Sequence, residues 1–232
     1  MEVKLLTLPT QVARVLARRI ASDELAGGLV PSEQEISQEF GVSRAVAREA
    51  LKILASLDMV DIAQGRRVML RPAAEWDYLS PLLVEWLPPP QVRELLRELH
   101  EARLIFEPAI AAQAARSLTE KDLGDLRDVV EAMVGEQDRD RYLELDLEFH
   151  MAICRATRNR ILDRFMYSSR WWQFASRRLT NQAPRALPTA TEQHRAIYEG
   201  LAARDPQRAE AAMRDHLRAN TLLAMVDEAV LP

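Results

Sequence analysis

The sequence has 232 residues, of which 48% are hydrophobic and 28% charged, with a formal net charge of −4 at pH 7. Such a length favours two domains, and a content of 7 glycines and 6% aromatic residues argues against a turn-rich β-barrel or sandwich. The acidic net charge does not exclude a nucleic-acid partner, since only one face of a DNA-binding domain has to be basic.

The N-terminal segment and the single cysteine indicate where the protein works. Charges interrupt the apolar positions of the first twenty residues, which argues against a signal peptide or a membrane span. Cys154 has no cysteine partner in the chain, and its apolar neighbours predict an inert core residue. We therefore expect a cytoplasmic protein with no membrane partner.

Three helices are predicted near the N-terminus. Apolar residues recur at helical spacing over 11–24. The capping residue Ser32 and the acids after it predict a second, short helix that stops at Gly41. Ser43 caps a third helix, which runs to about Leu57.

A hairpin is predicted directly after these helices. Two short extended runs, 59–63 and 67–71, flank the turn residues Gln64 and Gly65. Three helices and a hairpin in this order predict a winged helix-turn-helix domain over residues 1–72.

The rest of the chain is predicted to be a linker followed by a helical bundle. Residues 73–90 hold Trp76, Trp86 and three consecutive prolines, which predicts a linker with a short helix. Beyond it the sequence shows no strand pattern but six amphipathic runs, over 91–117, 119–137, 139–157, 159–178, 188–203 and 205–228. The predicted fold class is therefore all-α with a small β wing, and residues 91–232 form the helical domain.

Arg44 and Arg48 are the candidate base-reading residues. They lie four residues apart on one face of the third helix, close to its cap, and Val46 is predicted to point the opposite way, into the core. A recognition helix contacts base edges through its N-terminal part, and arginine pairs bidentately with guanine. Ser43 and the helix N-terminus can hold a phosphate. A solvated surface is the alternative interpretation, but the preceding helix, the tight Gly41 turn and the hairpin favour DNA binding.

These stretches resemble the motifs of the GntR family of bacterial regulators, which here read Pro31-Ser32-Glu33, Val42-Ser43-Arg44 and Arg48-Glu49-Ala50-Leu51. The resemblance implies further DNA contacts from the second helix and the wing tip, by Ser32, Gln34, Gln64, Gly65 and Arg66. Many members have arginine where this chain has Gln34, and a second small residue where it has Arg66-Arg67. We expect a homodimeric repressor on a pseudo-palindromic DNA operator, with half-sites about one helical turn apart.

Three of the four histidines lie on apolar helix stripes of the second domain. Asp146 and His150 stand one turn apart on one predicted helix, and His194 and His216 lie on the last two. One carboxylate and three imidazoles suit zinc, nickel or a similar divalent ion. Each histidine alone would be read as a hydrogen-bonded core residue. Burying the Asp146 carboxylate without a cation or a hydrogen-bond donor, however, costs several kcal/mol.

The second domain resembles the all-helical effector domain of the FadR-type subfamily. Its metal-binding members carry Asp-x-x-x-His and two later histidines in this order, which implies a metal bound by Asp146, His150, His194 and His216. Arg103 occupies a position where that subfamily often uses arginine to hold the carboxylate of an effector. Spacing alone equally allows an ion pair between Arg103 and Glu107 at the helix surface. The expected effectors are hydroxy, keto or sugar acids.

Two other functions use the same residues. A helical-bundle metalloenzyme would hold a catalytic ion at Asp146, His150, His194 and His216, the Asp/His cluster. The sequence has no His-Glu-x-x-His, Gly-x-Gly-x-x-Gly or phosphate-loop motif, and an enzyme has no need of a recognition helix. In a metal-sensing regulator, the ion itself would be the signal.

Overall fold

The computed structural model of the protein describes residues 6–25, 29–63, 65–180 and 186–219, of which 175–180 and 186 are described by their backbone alone. The elements in chain order are α1 (Leu8–Ala21), α2 (Glu33–Phe40), α3 (Arg44–Ser56), β1 (Val60–Asp61), β2 (Met69–Leu70), a 3-10 turn (Ala73–Glu75), α4 (Pro81–Trp86), α5 (Pro89–Ser117), α6 (Glu120–Met133), α7 (Arg139–Ala156), α8 (Arg160–Thr180), α9 (Ala186–Ala202) and α10 (Pro206–Ala219). The predicted class, all-α with a small β wing, is confirmed. The chain divides into two units, residues 1–92 and 93–232. None of the described helices is long and apolar enough to cross a membrane.

The first helix begins earlier than the apolar repeat predicted. The Thr7 side chain accepts a hydrogen bond from the Thr10 amide at 3.4 Å, and Pro9 lies in the first turn. Both features favour a helix start. The predicted start at residue 11 was wrong because it followed apolar spacing alone. The helix also ends at Ala21 rather than near residue 24.

The wing is a small antiparallel sheet. β1 pairs with β2 so that Val60 lies opposite Leu70, and each strand is two residues long, shorter than predicted. An isolated bridge from Leu29 to Met69 adds a third segment. Gln64, predicted at the wing tip, lies outside the described residues.

The core of the first unit fixes the rotation of α3. Ala47, Ala50, Leu51 and Leu54 are buried, while Val46, predicted to face the core, is only half-buried. The buried face therefore runs through position 47, which leaves the opposite face of the helix exposed to solvent.

The second unit is a helical bundle. α9 packs against α10 and α6, and α7 packs against α6 and α8. Its core includes the fully buried residues Tyr142, Phe149 and Ile153 of α7. Cys154 is buried beside them, and burial raises the pKa of its thiol to about 12. The thiol is therefore protonated at neutral pH, as expected of inert core.

Gly200 sets the close approach of α9 and α10. A Cβ at this position would lie 2.7 Å from the Ala209 amide nitrogen and 2.8 Å from its Cα. Because these are backbone atoms, Gly200→Ala should lower the free energy of unfolding by about 1–3 kcal/mol, measured by denaturant unfolding.

Gly124→Ala is the matched control, because it also lies inside a helix but a Cβ there meets nothing within 4 Å. Helix propensity alone predicts that this substitution stabilises the protein by about 0.5–1 kcal/mol. Stabilisation by both substitutions would contradict the close packing at Gly200.

Candidate functional site

A tight turn places α3 against α2. The Ser32 hydroxyl accepts from the Glu35 amide, and the Glu35 carboxylate accepts from the Ser32 amide, which forms a capping box at the start of α2. Gly41 ends the helix with φ of 64°, a left-handed conformation that favours glycine. The Ser43 side chain then accepts from the Val46 amide at 3.3 Å and caps α3.

Arg44 and Arg48 lie exposed on the first turns of α3, and each contacts α2. Arg48 donates from Nε and Nη2 to the two carboxylate oxygens of Glu33 at 2.8 and 2.9 Å. This hydrogen bonding is the main cause that lowers the pKa of the Glu33 carboxyl. Arg44 donates from Nη2 to Gln34 Oε1 at 3.3 Å. Residues of α2 therefore hold both arginine side chains in place.

A groove of about 560 Å³ runs between α2, α3 and the wing. It is lined by Ser32, Gln34, Arg44, Arg48, Gly65 and Arg66, together with other side chains. These include six of the eight residues predicted to contact DNA. Ser43 lies exposed at the adjacent helix N-terminus, and Gln64 falls outside the described residues.

The three predicted histidines and the predicted aspartate meet inside the second unit. Asp146 and His150 extend from α7, His194 from α9 and His216 from α10. All four are buried, and one potential ligand atom from each lies within 4.8 Å of the others. His194 Nε2 lies 2.7 Å from Asp146 Oδ1, and His150 Nε2 lies 3.4 Å from the same oxygen.

A second layer of polar side chains contacts the outer nitrogens of two histidines. His150 Nδ1 lies 2.7 Å from Glu107 Oε2, and His216 Nδ1 lies 3.1 Å from Gln193 Oε1. Arg103 donates from Nε to Glu107 Oε1 at 2.6 Å. The ion pair that spacing allowed between Arg103 and Glu107 is therefore present, but it is buried rather than at the helix surface.

The donor set fits a divalent cation. His216 Nε2 is buried and makes no hydrogen bond within the described part of the chain. Burial, followed by the neighbouring His194 and His150, lowers the pKa of His216 well below its usual value. A neutral imidazole offers a lone pair to a metal, and both imidazole nitrogen and carboxylate oxygen are ligands that zinc accepts.

Comparison with known proteins decides the family. Residues 8–70 match the family model described as bacterial regulatory proteins, gntR family, and residues 98–219 match the FCD domain. The chain belongs to the GntR family. It is a transcriptional regulator whose DNA-binding domain is followed by an FCD effector domain.

Similar GntR-family proteins act in both directions on transcription. The chain is 27% identical to the galactonate operon transcriptional repressor of Escherichia coli K12, over 84% of this chain and 86% of that one. It is 28% identical to the Glc operon transcriptional activator of the same strain, over 89% and 85% of the two chains. A solved structure of Lar, described as controlling the agr system of Listeria monocytogenes, shares the fold with a TM-score of 0.62 at 20% identity, over 97% and 99%.

The comparisons favour a regulator over the metalloenzyme alternative. The gntR family model and the similar curated proteins describe transcriptional regulators rather than enzymes. The buried Asp/His cluster therefore has to be understood as part of an effector domain.

Three side chains of this regulator were missed as parts of a site. Glu107 was considered only as an ion-pair partner of Arg103, and Gln193 and Glu33 were assigned no role. Spacing hinted at Glu107, because it follows Arg103 by four residues on a helix. Nothing in the sequence alone indicates that Gln193 reaches His216 on another helix or that Glu33 reaches Arg48.

Proposed function

We propose that this GntR-family regulator is a homodimeric repressor whose affinity for its operator is controlled by a small carboxylate bound beside a divalent metal ion. The observation that carries the proposal is the buried cluster of Asp146, His150, His194 and His216, which is joined to Arg103 through Glu107.

Arg44 and Arg48 are the proposed base-reading residues. Glu33 accepts hydrogen bonds from the edge of the Arg48 guanidinium formed by Nε and Nη2. The other edge, formed by Nη1 and Nη2, therefore remains available for the paired acceptors of a guanine. Ser32, Gln34 and the wing residues Gly65 and Arg66 line the same groove and would contact the flanking backbone and bases. Gln64 is proposed to join them from the wing tip. Two copies of this surface would read the two halves of an operator.

Asp146, His150, His194 and His216 would hold the metal ion. Zn²⁺ is the first candidate because histidine nitrogen and carboxylate oxygen are among its usual ligands, and Ni²⁺ or another divalent ion suits the same donors. Four protein ligands would fill the four positions that zinc usually offers. An effector carboxylate that reaches the ion therefore needs a fifth position, which zinc can accept.

Arg103 is the proposed second anchor of the effector. Its Nε donates to Glu107, whereas its Nη2 is buried and has no hydrogen-bond partner within the described residues. A buried guanidinium nitrogen that still needs an acceptor is suited to a carboxylate ligand. The name of the galactonate operon repressor refers to a sugar acid, which supports hydroxy, keto and sugar acids as the compounds to screen.

A thermal-shift screen of metal-loaded and chelator-stripped protein against small carboxylates tests this proposal. A true effector at about 100 times its dissociation constant should stabilise the loaded protein by roughly 2.7 kcal/mol, and the stripped protein much less. A carboxylate that stabilises both forms equally would contradict a metal-linked effector site.

Arg103→Lys should separate the effector from the ion. Lysine keeps a positive charge beside Glu107 but loses the forked donors that pair with a carboxylate. We expect the affinity for the effector to fall at least tenfold, while the increase in melting temperature caused by the metal remains. Unchanged effector affinity would show that Arg103 does not hold the carboxylate.

Metal sensing is the second candidate function, and the completeness of the four-ligand set favours it. In that case the ion is the signal, and operator binding changes with metal concentration alone. Titration of operator binding with Zn²⁺ and Ni²⁺, without any carboxylate, distinguishes it from a regulator in which the metal is permanently bound.

A further inference from the structure

Glu107 is a buried carboxylate that faces two different functional groups. Its side chain on α5 is 2% exposed, and the side chain of Arg103, one turn earlier, is 3% exposed. Oε1 accepts from Arg103 Nε at 2.6 Å, and Oε2 lies 2.7 Å from His150 Nδ1 on α7. The two oxygens of one carboxylate thus connect an arginine on α5 to a histidine on α7.

This contact determines which nitrogen of His150 faces the cluster. An ionised carboxylate only accepts hydrogen bonds, so this 2.7 Å contact favours the tautomer of His150 that carries its proton on Nδ1. The lone pair then lies on Nε2, the nitrogen that is 3.4 Å from Asp146 Oδ1. His216 follows the same rule, because its Nδ1 lies 3.1 Å from Gln193 Oε1 and its Nε2 lacks a hydrogen-bond partner among the described residues.

We infer that Glu107 and Gln193 are positioning residues that fix the tautomers of His150 and His216 and aim their Nε2 atoms at a shared metal ion. The inference rests on the proposed metal site and deepens it. Arg103 holds the far side of the Glu107 carboxylate, so the proposed effector anchor and a metal ligand share one side chain. A carboxylate of this kind raises the basicity of a metal-binding histidine and fixes the orientation of its ring.

The chemistry of an amide makes Glu107→Gln a sharp test. Both oxygens of Glu107 face a donor, Arg103 Nε on one side and His150 Nδ1 on the other. An amide has one acceptor oxygen, and its nitrogen only donates. The variant keeps the shape of the side chain but satisfies only one of the two donors.

Zinc affinity is measured by competition with a chromophoric chelator on the full-length protein. Glu107→Gln and Gln193→Ala should each weaken Zn²⁺ binding about 10- to 100-fold. Glu101→Gln, an exposed residue on the same helix, is the matched control and should change the affinity less than twofold. Zinc affinities of both variants within twofold of the wild-type protein would overturn the inference.

Nitrogen NMR of the histidine rings in chelator-stripped protein gives a second readout that needs no metal. The wild-type protein should show His150 and His216 as the Nδ1–H tautomers, and Gln193→Ala should shift His216 toward a mixture. Gln193 is only half-buried, so this variant remains informative if Glu107→Gln does not fold.

The two readouts separate this inference from the proposed function. If the wild-type protein binds no Zn²⁺, the proposed metal site fails, and the tautomers alone decide whether Glu107 and Gln193 position the rings. Mixed tautomers in the wild-type protein would overturn the positioning role.

Discussion

His216→Ala should abolish the stabilisation that a metal ion gives to this protein. The substitution removes a proposed ligand whose Nε2 is buried in the cluster, and loss of one of four proposed ligands should lower metal affinity steeply. A ligand present at about 1,000 times its dissociation constant stabilises the folded state by roughly 4.1 kcal/mol, which is on the order of 10 °C in a domain of this size. Melting curves with and without Zn²⁺, combined with metal analysis of the purified protein, measure both effects.

His100→Ala is the matched control for this experiment. His100 is buried in the same unit but lies outside the cluster, and burial is the main cause that lowers the pKa of its imidazole. Its replacement should lower the melting temperature and leave the metal-dependent increase intact. Wild-type metal content in His216→Ala and in His150→Ala would refute the proposed site.

Arg48→Ala should remove specific operator binding and leave the fold intact. One bidentate arginine–guanine pair contributes about 1–3 kcal/mol to discrimination, and a dimer loses two such pairs. The dissociation constant of the operator complex should therefore increase about 30-fold or more. Fluorescence anisotropy with operator DNA and with unrelated DNA measures the ratio, and circular dichroism checks the fold. Arg44→Ala should behave in the same way.

Arg18→Ala is the control for the loss of positive charge. Arg18 is exposed on α1, so its removal should weaken binding to operator and unrelated DNA by a similar, small factor. Operator affinity close to that of the wild-type protein in both Arg44→Ala and Arg48→Ala would contradict the assignment of α3 as the recognition helix.

Much of the fold was predictable because its signals are local. Ser32, Gly41 and Ser43 each cap or end a helix through contacts within a few residues of themselves, and the sequence displays such signals directly. The start of α1 was missed although its cap is also local, because Thr7 precedes the apolar repeat. The rotation of α3 was misjudged by one position, because the choice between Val46 and Ala47 depends on packing with other helices.

The four residues of the candidate metal site were predictable from the sequence, but the residues that contact its histidines from outside were not. Asp146, His150, His194 and His216 stand out because polar residues are unusual on apolar helix stripes. Glu107 and Gln193 contact two of these histidines across helices, over sequence separations that no periodic pattern reports.

Binding of an operator selected from a random DNA library, measured by anisotropy with metal-loaded and chelator-stripped protein while a stabilising carboxylate is added, tests the central claim most directly. We expect the carboxylate to change operator affinity at least tenfold in the metal-loaded protein, and to have little effect on the stripped protein or on His216→Ala. An equal response in all three would contradict control by a carboxylate at the Asp/His cluster.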